Sequence, residues 1–266
     1  MRGAKRPKIK RLSELSAVIV GGTSGIGLAA AEALIRAGVP RLRLVGRNPE
    51  RAAAAVDHLR RFKGEAEIAA LLADCADPKA AKDMAETALA GMGGIDLLVC
   101  SPGGNNLPEL LFRQPIAQIN RTLMEDMAPT LNACRAVLPA MMEGGGGCIL
   151  NLASDAAKVA TPGESVIGAV MAGIVQFTRG LAIEGKRNGI RANAITPSLV
   201  EGTALTDRLM AEGTFSKKLF EKARPLADLG PTTAEDLAEL IVFLAGPGAA
   251  KITGQAISVN GGISAA

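Results

Sequence analysis

The apolar run Ala17-Val18-Ile19-Val20 leads straight into Gly21, and Gly25 and Gly27 follow as a helical run opens with Ile26-Gly27-Leu28. A strand that turns on glycine into a helix is the first half of a βαβ unit, and it commits the chain to an α/β architecture. Six more apolar runs of strand length follow: Leu42–Val45, Ile68–Leu72, Ile95–Cys100, Cys148–Leu152, Arg191–Ile195 and Ala256–Val259. Such short apolar runs suit strands covered on both faces. The helical stretches between them carry their own punctuation. Gly38 ends the first as a left-handed cap would. Asn48-Pro49 and Asp77-Pro78 set a capping side chain before a proline at the first helical position. Thr232 and Glu235 have capping-box spacing ahead of Leu237, Leu240, Ile241 and Leu244. The alternation predicts one doubly wound parallel sheet of about seven strands with helices on both faces. No repeat or long linker divides residues 14–266, which read as a single domain. The least regular stretch, Pro197–Gly230, is the natural lid, because such sheets bind ligands beyond the C-terminal ends of their strands.

Composition supports this. The 266 residues are 48% apolar but only 2% aromatic, so small aliphatic side chains must fill the core of one large domain. No uninterrupted apolar run approaches the ~20 residues of a membrane helix. The net charge of +4 is misleading: Arg2, Lys5, Arg6, Lys8, Lys10 and Arg11 are six of the 30 basic residues, leaving 24 against 26 acidic ones. Residues 1–13 therefore read as a basic, disordered tail without the apolar core of a secretory signal, and neither a nucleic-acid nor a membrane partner is expected of it. Cys75, Cys100, Cys134 and Cys148 show no metal-ligand spacing, which leaves reduced thiols in a cytoplasmic protein as the default. His58 is the only histidine, reads as a surface residue of a helix, and has no second histidine with which to build a metal site.

The glycines at 21, 25 and 27 have a physical task. They allow a tight turn and let backbone amides approach a pyrophosphate at a helix N-terminus. Placed after a strand and before a helix, they point to dinucleotide binding. Further motifs accompany them: Leu72-Ala73-Asp74, Leu150-Asn151-Leu152-Ala153-Ser154, Asn193-Ala194-Ile195-Thr196-Pro197-Ser198, Phe243-Leu244-Ala245, Thr253-Gly254-Gln255 and Val259-Asn260-Gly261-Gly262. Together they resemble the short-chain dehydrogenase/reductase family over roughly residues 14–263, with Val20 in place of the family's threonine before the first glycine. The resemblance implies a Rossmann-type fold. It also implies a nicotinamide cofactor held by Gly21, Thr23, Ser24, Gly25, Ile26, Gly27, Asp74, Cys75, Gly103, Pro197, Ser198 and Val200. Within that set, Asp74 would meet the adenine amino group.

Cofactor choice is written at the end of the second strand. An acid there would bond the adenosine ribose hydroxyls and repel a 2′-phosphate, but the chain has Gly46-Arg47. A guanidinium can pair with that phosphate, so NADP(H) is expected rather than NAD(H).

The catalytic stations depart from the family's pattern. Ser154 matches its serine, but the tyrosine thirteen residues later is Ile167 and the lysine four later again is Met171. Ala172-Gly173 supports this register, and the chain contains no tyrosine at all. Neither isoleucine nor methionine can donate a proton or hold charge. The family's Asn-Asn-Ala-Gly reads Cys100-Ser101-Pro102-Gly103, and its helix asparagine aligns with Asp126. Glu164, three residues before Ile167, and Asp126 are candidate surrogate acids; Lys158 and Cys100 are weaker ones. Each also has a purely structural reading: a capping acid for Glu164, a surface charge for Lys158, a packing residue for Cys100.

These residues point to an NADP(H)-binding protein, nominally an oxidoreductase, deficient in ordinary carbonyl–alcohol hydride transfer, with a small-molecule ligand the sequence does not specify. Two alternatives stand beside it: an oxidoreductase with a surrogate proton donor, and a non-redox lyase or isomerase reusing the cleft. The helix Ser165–Glu184 carries Val166, Ile167, Val170, Met171, Ile174, Val175 and Phe177, an apolar surface too broad for one core-facing stripe. The family pairs this helix and its neighbour, Ala117–Met142, across a two-fold axis, so a homotetramer is expected, with a homodimer second.

Overall fold

The computed structural model describes residues 9–62, 64–103 and 106–266. Seven parallel strands form the main sheet: β1 (Ser16–Val20), β2 (Arg41–Gly46), β3 (Glu67–Leu72), β4 (Leu97–Cys100), β5 (Gly147–Leu152), β6 (Ile190–Pro197) and β7 (Ala256–Val259). Their order is 3-2-1-4-5-6-7, so the winding reverses between β1 and β4. The helices are α1 (Gly25–Arg36), α2 (Pro49–Leu59), α3 (Pro78–Met92), α4 (Ile116–Thr122), α5 (Ala128–Glu143), α6 (Ser165–Gly185), α7 (Ala204–Leu209), α8 (Phe215–Ala223) and α9 (Ala234–Ala245). The seven predicted strands all form, and the Rossmann-type architecture is as expected.

The period of two along β1 divides the core. Ala17 and Ile19 join Ala30 and Leu34 of α1 and Leu237, Ile241 and Leu244 of α9 on one face. Val18 and Val20 join Met84 and Ala88 of α3 and Val137 and Met141 of α5 on the other. Burying both faces in this way is what drives a nearly all-aliphatic sheet to form.

The expected helix punctuation holds at three sites. Gly38 adopts φ +90 after α1, and Asn48 and Asp77 cap α2 and α3 by accepting from the Arg51 and Ala80 N–H groups, each at 2.7 Å. Two expectations need correction. The capping box of α9 is Thr233 with Asp236, one residue beyond the predicted pair, because Thr232 is buried in a short ladder between Val200–Glu201 and Thr232–Thr233. That ladder pins both ends of the lid, which contains α7 and α8.

Secondly, Ala117–Met142 is not one regular helix. Between α4 and α5 lies a π turn, Leu123–Met127, in which the Ala128 N–H bonds the Leu123 carbonyl. Pro129 has no N–H to return to Glu125, and the helix widens there. One helix, α6 with its following turn, Ser165–Asn188, holds an 18-residue window with a mean hydropathy of 1.7 and is by length and composition long enough to cross a membrane, although Gln176 and Arg179 interrupt its apolar run. Here its inner face, with Val170, Ile174 and Leu181, is buried.

Of the basic segment at the start, residues 1–8 lie outside the described residues. Its described end is tied down: Lys10 pairs with Asp96, and Leu12–Glu14 form a 3₁₀ turn. All four cysteines are free and buried. His58 is on α2, 2.9 Å from the Glu32 carboxylate and edge-on to Phe62.

Candidate nucleotide cleft

A cleft of about 680 Å³ opens where the winding reverses, beyond the C-terminal ends of β1, β2, β4, β5 and β6. Its walls bring together Gly21, Thr23, Ser24, Gly25, Ile26, Arg47, Asp74, Cys75, Gly103, Asp126, Ser154, Glu164, Ile167, Met171, Pro197, Ser198 and Val200. Of the predicted cofactor residues and the main catalytic stations, all are there except Gly27. A Cβ at Gly27 would sit 2.3 Å from the Gly21 carbonyl oxygen, so this glycine lets α1 pack against the turn rather than facing a ligand.

The turn fits a phosphate group. Gly21 has φ +77, and a Cβ there would meet the Ser101 carbonyl oxygen at 2.0 Å. Gly25 has φ +52 and meets nothing nearer than the Thr203 methyl at 4.0 Å, so it opens onto the cleft. Ser24 is the N-cap of α1 but makes no side-chain capping bond. The first-turn N–H groups thus have no side-chain acceptor from the cap, which leaves them to an anion at the positive end of the helix.

At the far end, Gly46 passes close under Thr23: a Cβ there would lie 2.8 Å from the threonine side chain. Arg47 lines the wall, half exposed, 3.6 Å from the Asp74 carboxylate. Arg51, in the first turn of α2, lines it too. The sequence reading missed Arg51, which stands just beyond Arg47. Asn132 of α5 holds the Asp74–Cys75 loop by donating to the Cys75 and Ala76 carbonyls at 2.9 and 3.1 Å. Burial first, and then the Asp74 charge, pushes the Cys75 thiol up to about 11.

The opposite half holds the altered stations. Ser154 caps a 3₁₀ turn, its Oγ accepting from the Ala156 N–H at 3.2 Å, which leaves its O–H proton for another partner. Asn151 anchors β5 to α6 through the Thr178 hydroxyl at 2.9 Å. Ile167 and Met171, one turn apart on α6, both face the cleft. Glu164 precedes the helix as its N-cap and lines the same wall; burial raises its carboxyl, with Thr161 opposing and the Asp155 charge adding.

Asp126 rides on the π turn and is 6% exposed. Its Oδ2 accepts from Asn106 Nδ2 at 3.0 Å, and its Oδ1 is buried with no partner. Burial pushes this carboxyl up to about 6, against the Asn106 bond and with the Glu125 charge adding. Asn106, itself fixed by Gln118, was absent from the sequence reading; nothing in its spacing marks it, and only the fold brings it to Asp126. Two weaker candidates fall outside the walls. Lys158 turns to the Ser258 hydroxyl and the Ala266 carbonyl. Cys100 is fully buried, its thiol raised by burial and by Cys134.

Comparison with known proteins fits this geometry. The family model described as enoyl-(acyl carrier protein) reductase matches residues 20–264. The oxidoreductase YxbG of Bacillus subtilis is 32% identical over 96% of this chain and 93% of its own. The 2-(R)-hydroxypropyl-CoM dehydrogenase of Xanthobacter autotrophicus is 30% identical over 94% and 98%. A short-chain type dehydrogenase/reductase from Mycobacterium ulcerans, 24% identical, superposes with a TM-score of 0.87 over 96% of this chain and 91% of that one. The fold, the glycine turn and these matches together place the chain in the short-chain dehydrogenase/reductase family of oxidoreductases, whose members bind nicotinamide cofactors.

Proposed function

We propose that this chain binds NADP(H) in the cleft but is deficient in the ordinary carbonyl–alcohol reaction. The observation that carries this reading is the pair Ile167 and Met171 in the same wall as Ser154, in a chain without tyrosine. When bound, the cofactor supplies or accepts a hydride. The chain's own part is to hold it: the Gly21–Ile26 turn for the pyrophosphate, Arg47 and Arg51 for a 2′-phosphate, and Pro197–Val200 for the nicotinamide end. Ser154 can donate a hydrogen bond to a ligand oxygen. No group at 167 or 171 can return a proton to it, and loss of a positioned acid lowers rate by ~10²–10⁴-fold.

Fluorescence or calorimetric titration tests the cofactor half. NADPH should bind more tightly than NADH, and Arg47→Ala should weaken NADPH while leaving NADH nearly unchanged. Equal affinities, or tighter NADH, would overturn the NADP(H) assignment.

A second reading is an oxidoreductase with a surrogate acid. It is favoured by the two carboxyls raised by burial in the cleft, Asp126 and Glu164. Robust wild-type turnover that disappears in Asp126→Asn or Glu164→Gln would establish it. The assembly we propose is a homotetramer, with a homodimer as the second choice, formed through α6 and the α4–α5 segment.

A further inference from the structure

We propose that the chain holds a second ligand site, at the opposite end of the sheet from the cleft, for a small carboxylate with an apolar body. A cavity of about 250 Å³ lies there, at the N-terminal ends of β1, β4, β5 and β6 and beside the C-terminal ends of α6 and α9. The loop from α5 into β5 forms part of its wall. Gly146 of that loop has φ +148, and a Cβ there would sit 2.7 Å from the Gly189 carbonyl oxygen. The loop therefore lies against the start of β6 without a side chain at this point, which keeps the concavity open.

Four cations line the cavity, Lys10, Lys186, Arg191 and Lys251, against one carboxylate, Asp96. Each charge can be placed. Asp96 is committed: its Oδ1 pairs with Lys10 at 2.5 Å, and its Oδ2 accepts from the Ser16 N–H at 3.0 Å. Arg191 donates to the Leu244 carbonyl at 2.8 Å, a neutral partner that leaves the guanidinium charge in place. Lys186 directly follows α6, and Lys251 follows the turn after α9; both are exposed, and among the described residues neither ammonium has a carboxylate partner. Cys148 adds no negative charge, because burial, against the nearby Arg191 charge, pushes its thiol up to about 11. Four positive charges against one negative leave an excess of three around a small concavity, which attracts an anion.

The rest of the wall selects among anions. Leu15, Ile190, Ala245 and Ala250 offer aliphatic contact to a ligand body. No aromatic side chain lines the cavity among the described residues, so a nucleobase would have no ring to stack on. An aliphatic carboxylate satisfies both halves, its chain against these residues and its charge toward Lys186 and Lys251. The site shares no wall residue with the nucleotide cleft and does not rest on how that cleft is read.

The test is ligand-observed NMR titration of the full chain with hexanoate, hexan-1-ol and hexylammonium at low ionic strength. Hexanoate should bind about tenfold tighter than hexanol, with hexylammonium weakest, and the preference should shrink as salt screens the exposed lysines. Lys186→Gln/Lys251→Gln should remove most of the preference while leaving NADPH titration unchanged; both side chains are exposed, and melting curves check that the variant is folded. Should the pair fail to fold, either single variant should lower the preference in part. Arg47→Ala/Arg51→Ala, in the cleft, should leave it intact. Absence of hexanoate binding, equal or tighter binding of hexanol or hexylammonium, a preference unchanged in the folded lysine variants, or one lost in the cleft variant would each overturn the proposal.

Discussion

At the residue scale, glycines that look equivalent in the sequence do different work. Gly21 brings the turn against Ser101, Gly25 opens it to the cleft, and Gly27 seats the helix. Gly21→Ala combines a positive φ with a contact of 2.0 Å to backbone, so it should destabilise the fold by more than about 1–3 kcal/mol and abolish NADPH binding. Urea unfolding and titration check this. Asp126 offers a test with a definite sign. Its folded-state carboxyl is raised to about 6, so the folded protein keeps this proton longer than the unfolded chain does. The associated stability is present at low pH and is lost as pH rises from about 4 through 6, then stays level. Relative to Asp126→Asn, the wild type should lose up to about 3 kcal/mol between pH 4 and 7 in urea unfolding. Glu164 titrates the same way in both proteins and cancels; a flat difference would contradict the account. Most of these residues were legible in the sequence because local motifs carry them. Asn106 was not, since its contact with Asp126 exists only once β4's following loop and the π turn meet.

At the element scale, hydrophobic runs located the strands, and caps located α2 and α3, because both signals are local. The π turn was not legible as such. Its determinant, Pro129, reads in sequence as an ordinary first-turn proline, and the displaced hydrogen bond depends on α4 already standing before it. The cap of α9 slipped by one residue for a related reason: Thr232 is buried in the short ladder, while the Thr233 hydroxyl is left to accept from the Asp236 N–H. The shifted register is testable. Thr233→Ala should lower stability by about 1 kcal/mol, whereas Glu235→Ala should change it by less than about 0.5 kcal/mol. Equal effects in urea unfolding would restore the box first read from the spacing.

At the scale of the whole molecule, alternation of strands and helices was enough for a doubly wound sheet, but no single run encodes the strand order. That order places the reversal between β1 and β4, and the cleft follows from it. The outer side of the molecule bears on assembly: Ile183 on α6, Met142 on α5 and Ile116 at the start of α4 are exposed. Light scattering at micromolar concentration should give a tetramer, or failing that a dimer; a monomer would contradict the proposal. The central claim is a cleft that holds NADPH yet lacks the ordinary acid. Its most direct measurement is NADPH oxidation at saturating cofactor across ketones, aldehydes and quinones, comparing the wild type with Ile167→Tyr/Met171→Lys. The account predicts turnover in the double variant, far less in either single one because the two residues act as a unit, and none above background in the wild type. Robust wild-type reduction of these carbonyls would contradict it.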